Sequence, residues 1–131
     1  MVISKHSAPV RALALAAVSA LAALPSWAAA DFPFGAYTAK GLNGTVTFDN
    51  QGQLRVMQGG KLMVGGAYTV SGDKIQLTDK EGPWACTKAG EQTGAYRWKF
   101  VGGVMAFTKV ADPCTVRAQS LTDNVWKKVT P

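Results

Sequence analysis

Two cysteines, eight carboxylates and one histidine are the side chains with which this chain could do covalent, acid–base or metal chemistry. The histidine, His6, sits close to the N-terminus in a segment with the marks of a removable leader. Without it, no Ser-His-Asp, Cys-His or zinc–histidine arrangement can be assembled. Cys86 and Cys114 have only each other as an intramolecular partner, and no further soft ligand accompanies them. A structural disulfide is therefore expected in place of a metal pair or a reactive thiol. Asp49, Asp73, Asp79, Glu81, Glu91, Asp112 and Asp123 fall mostly at expected turns. There their oxygens are explained by satisfying nearby backbone N–H groups; the alternative is two of them meeting as an acid–base pair. The stretch Thr78 to Gly82 lacks the ligand spacing of a calcium loop. Gly59-Gly60-Lys61 lacks the Ser or Thr that follows the lysine of a phosphate loop. On these grounds the expectation is no enzyme, no metal and no cofactor.

The segment holding His6 also carries Lys5 and Arg11, followed by an apolar run from Ala12 to Leu24. Pro25 breaks the run before Ser26-Trp27-Ala28-Ala29-Ala30. A charged start, a short apolar middle and small residues at the end mark residues 1–30 as a secretory signal peptide, cut after Ala28 or Ala30. The run is shorter than the ~20 residues that span a bilayer, so the chain is not expected to be membrane-spanning. Its expected location is the periplasm or the cell exterior, where disulfides persist. Residues 31–131 then form a single domain, and losing Lys5 and Arg11 lowers the net charge from +6 to about +4. The remaining basic residues are dispersed, with Arg55, Arg97 and Lys99 alternating outward along strands. Nucleic-acid binding, which calls for a denser basic cluster with exposed aromatics, is not expected.

The elements that must position these groups announce themselves by a repeat. Gly-Ala-Tyr occurs at Gly35, Gly66 and Gly94, each time opening a strand-like run. Cys86 follows Gly66 by twenty residues and Cys114 follows Gly94 by twenty. Period-2 alternation marks strands at Thr45 to Phe48, Gln53 to Val56, Lys61 to Val64, Tyr68 to Val70, Lys74 to Leu77, Tyr96 to Phe100 and Val104 to Val110. With the segment around Tyr37, this makes about eight short antiparallel strands in sequential order. Closing such a sheet hides both its edges and its apolar face. The expected fold is all-β, a small antiparallel up-and-down β-barrel with a short C-terminal helical segment. The inner face would carry Tyr37, Val46, Phe48, Leu54, Val56, Leu62, Val64, Tyr68, Val70, Ile75, Leu77, Tyr96, Trp98, Phe100 and Phe107. A barrel of this size is either filled by its own side chains or holds one small ligand; in so short a chain the filled core is the expectation. The glycines of the repeat are expected to let strands bend or bulge. In the tail, Asp112-Pro113 reads as an N-cap and first helical residue. The helix would run from Pro113 to about Ser120, with a second turn ending near Lys127-Lys128 and Trp126 buried against an open barrel end.

Gly66 to Asp79, Gly94-Ala95-Tyr96-Arg97-Trp98 and Asp112 to Arg117, with the later Trp126, resemble small exported lipocalin-like barrel proteins of bacteria. The resemblance implies a calycin-type barrel that binds a small hydrophobic molecule. In lipocalins a glycine-x-tryptophan on the first strand packs against a late arginine. Here Gly35-Ala36-Tyr37 carries tyrosine instead, with Arg117 as the candidate partner, and the chain is shorter than a typical lipocalin. The expected function is binding of a small apolar ligand, with Tyr68, Tyr96 and Trp98 as pocket residues. The alternative is a module that binds an exported protein partner, for example an inhibitor of an exported hydrolase. That module would act through the loop from Asp79 to Thr93, with Trp84 as an exposed anchor.

Overall fold

Alternating apolar and polar residues give this chain strands that must bury one face, and in the computed structural model they do so by closing on themselves. The structure describes residues 32–130; the expected leader, residues 1–30, lies outside them. Eight strands follow in order: β1 (Gly35–Ala39), β2 (Leu42–Phe48), β3 (Gln53–Gln58), β4 (Lys61–Ser71), β5 (Lys74–Glu81), β6 (Thr93–Val101), β7 (Val104–Ala111) and β8 (Trp126–Lys128). One helix, α1 (Thr115–Thr122), lies between β7 and β8. Each strand pairs antiparallel with the next, and β8 returns to β1, so the sheet is a closed barrel. No helix among the described residues is long and apolar enough to cross a membrane.

Three expectations about the elements are corrected. The runs at Lys61 to Val64 and Tyr68 to Val70 are one continuous strand, β4, because Gly65 and Gly66 do not break it. The register against β5 instead shifts between Gly65 and Gly66, a bulge that bends the strand while the ladder continues. The eighth strand comes from the tail: Trp126–Lys128, expected as a helical turn, pairs with both β1 and β7 and seals the barrel. Asp112 does not cap α1 through its side chain either. Cys114 holds the N-cap position, and no side-chain cap bond is made there.

The interior has two layers of different composition. At the end where β1 starts, Phe32 packs edge-on to Phe48 at 5.4 Å and to Trp98 at 5.2 Å between ring centroids. Tyr68 lies 5.1 Å from Phe48, and Tyr37 contacts Phe48 and Phe100. Large rings from the segment before β1 and from several strands therefore plug this end. Toward the other end the cross-strand row Val46, Val56, Val64 runs over β2, β3 and β4. Valine is too short to reach the barrel axis from the wall, and an open space is left there.

Candidate functional site

That space is a cavity of about 740 Å³. Its wall is made of Val46, Phe48, Leu54, Val56, Val64 and Leu77 from the strands, with Leu42 and Trp126. Its mouth is framed by the loop between β5 and β6, through Pro83, Trp84, Ala85, Cys86, Thr87, Lys88 and Glu91. The opposite side of the mouth is α1, through Val116, Arg117, Ser120 and Leu121. The disulfide between Cys86 and Cys114 ties loop to helix, with Cα atoms 6.3 Å apart. Trp126 is held in the wall by its indole N–H, which donates to Leu121 O at 3.2 Å. The interior is thus hollow at one end, where a filled core was expected.

One polar cluster interrupts the apolar wall. Arg117 is buried, and its Nε and Nη2 donate to Asp112 Oδ2 and Oδ1 at 2.7 and 2.6 Å. Nη1 donates to Gln92 O at 2.9 Å and Nη2 to Glu91 O at 3.0 Å. Nη1 also lies 3.3 Å from Asp79 Oδ2, which accepts the Cys86 N–H at 2.8 Å. The Tyr96 hydroxyl donates to Asp112 Oδ2, and Asp112 Oδ1 accepts the Cys114 N–H at 2.8 Å. The cluster therefore pins β5, β6, the loop and the start of α1 to one guanidinium. Burial alone would raise the Asp112 carboxyl, but hydrogen bonds from Arg117, Tyr96 and Cys114 outweigh it and hold it below 3.8. Burial would likewise lower Arg117, and the Asp112 and Asp79 carboxylates outweigh it and raise it. No three metal-ligating side chains converge among the described residues.

The repeated glycines serve this arrangement. Gly66 lies across from Asp79 and Gly94 across from Leu77. A methyl group added at Gly94 would overlap the Asp112 carboxylate, and one at Gly66 would overlap the backbone carbonyl of Thr78. Side chains at these two positions would exclude the ion cluster or force the strands apart.

The residues singled out by sequence fall into two groups. Cys86 and Cys114 are joined as expected and stand at the mouth. Tyr68, Tyr96 and Trp98 are not among the cavity's lining residues. Tyr68 donates to Asp49 O, Trp98 donates from Nε1 to Gly72 O at 2.9 Å, and Tyr96 belongs to the ion cluster. Their polar atoms are spent on fixing turns and the cluster. Arg117 does not pair with Tyr37, whose hydroxyl donates to Pro33 O; its partners are Asp112 and Asp79. Asp79, expected at a turn, is instead buried in β5 and is a cluster residue that the sequence reading does not single out. The signal was present: Ile75, Leu77 and Asp79 share one face of an alternating strand. Trp84 is 42% exposed at the mouth, and Arg97 pairs with Asp73 at 2.9 Å on the outer surface. No protein-family model, curated protein or solved structure matches the chain.

Proposed function

We propose that the protein is an exported, lipocalin-like barrel that holds one small, largely apolar molecule in its open end and does no chemistry on it. The carrying observation is the cavity of about 740 Å³ with a wall of valine, leucine, phenylalanine and tryptophan side chains. Small-molecule sites occupy ~300–1,000 Å³ and combine such a lining with a few placed polar groups. Each Å² of apolar ligand surface removed from water contributes about 25 cal/mol, so a guest filling this space gains affinity without any strong polar contact. The disulfide ties loop to helix and so fixes the frame of the mouth, which favours a site formed before the ligand arrives. A binder fits the remaining chemistry: both cysteines are joined, and the only histidine lies in the expected leader. Native mass spectrometry of the protein purified from its exported location tests the reading. The expected result is a one-to-one adduct that organic solvent removes. Bare protein from several hosts, with no uptake of added apolar compounds, would sink it.

A further inference from the structure

The polar wall restricts what head group an apolar guest can carry, a point that rests on the reading above. Asp79 is the determining residue. Its side chain is 4% exposed, and it lines the cavity. Both of its protein partners, the Cys86 N–H and Arg117 Nη1, meet Oδ2. Oδ1 takes no hydrogen bond from any described residue. No fully enclosed side-chain nitrogen or oxygen among the described residues lacks a partner, so Oδ1 keeps an accessible face, and the open space beside Asp79 is the cavity.

Arg117 cannot serve as a receptor for an anion, because Asp112, Asp79, Gln92 and Glu91 already occupy its donors. One guanidinium between two carboxylates gives the cluster a net negative charge; Asp79 and Arg117 line the cavity, and Asp112 lies behind them. The other charged lining residues, Lys88 and Glu91, are opposite in sign and stand in the mouth loop. We infer that the cavity selects apolar molecules whose head group donates a hydrogen bond, alkyl ammonium ions first and alkanols second, with Asp79 Oδ1 as acceptor, and that it rejects alkyl carboxylates. A buried acceptor left unpaired is costly, and a charged donor repays it more fully than a neutral one. A carboxylate would meet like charge in a low-dielectric wall.

The test is calorimetric titration of the disulfide-intact exported protein with decylamine, decanol and decanoate at neutral pH, each below its self-association concentration. The expected order is amine, alcohol, carboxylate, with the amine at least ~10-fold tighter than the carboxylate. Asp79→Asn should bring that ratio close to one while decanol still binds. Because this change also touches Arg117, a second readout uses the unaltered protein: decylamine should move the Asp79 side-chain carboxyl carbon resonance and decanoate should not. Equal affinity for all three compounds would overturn the head-group inference and leave the apolar-ligand reading standing. Tightest binding of decanoate would do the same. Failure of all three to bind would overturn both.

Discussion

Arg117 sits below solvent with one carboxylate gripped by its Nε and Nη2 and a second beside Nη1. Breaking a buried pair leaves an uncompensated charge and typically costs 3–5 kcal/mol, roughly, even where the pair itself adds little net stability. Arg117→Met is therefore expected to destabilise the fold by about 3–5 kcal/mol in urea titrations. Arg117→Lys should rescue only part of this, since an ammonium cannot reproduce the two-pronged grip on Asp112. The tyrosines give a second test. Burial pushes Tyr37 and Tyr68 up from 10.0 to about 12, and it raises Tyr96 too, aided by Asp112. A raised pKa contributes stability that is complete below the unfolded value of 10.0 and lost as pH climbs through the folded one. All three tyrosines of the chain are involved. Little tyrosinate absorbance should appear near pH 10, and its onset above that should coincide with loss of the near-ultraviolet dichroism. Ordinary titration around pH 10 with the fold intact would contradict this. These roles were only partly legible beforehand. Three inward tyrosines could be read from alternation, but which of them borders empty space depends on where rings from distant strands meet. Asp79 is legible from the same alternation, which places it on the inward face with Ile75 and Leu77, although an acid in that stretch also suits a turn.

Between neighbouring strands the chain follows simple rules. Valine, isoleucine and aromatic residues alternating with polar ones set β2, β3, β5, β6 and β7 close to their expected places, with glycine-rich turns between them. Local pattern fails where an element owes its existence to closure. Trp126–Lys128 is only three residues long and has no strand signal of its own; it is extended because β1 and β7 both offer it a ladder. Likewise Gly65-Gly66 interrupts the alternation, yet the neighbouring strands carry β4 on through a bulge there. The disulfide acts at this scale. Cys86 and Cys114 close a loop with a sequence separation of 28, which the chain-entropy account values at ~3.5 kcal/mol. The double variant Cys86→Ser, Cys114→Ser should lose about that much stability in urea. Its barrel should persist, because the strands do not need the bridge in order to pair. Unchanged stability would show that the loop and α1 are held by the ion cluster alone.

For the whole molecule, the uneven distribution of large side chains decides the outcome. Aromatic rings gathered at one end make a plug, and valines in a row across three strands leave the other end open. A closed sheet was foreseeable from alternation, and the count of eight holds because β8 replaces the run that merges into β4; the hollow was not foreseeable, since shortness of chain argued for a filled interior. What resolves it is layer by layer: Phe32, Phe48, Tyr68 and Trp98 crowd one level, while Val46, Val56 and Val64 occupy another. The most direct measurement compares one-to-one binding of a neutral apolar fluorescent dye by the natural protein and by Val64→Trp, whose indole would occupy the cavity. The account predicts saturable binding by the natural protein, and loss of that binding in a variant that keeps its fold and gains stability or holds it. Equal dye affinity in the two proteins, or none in either, would contradict it.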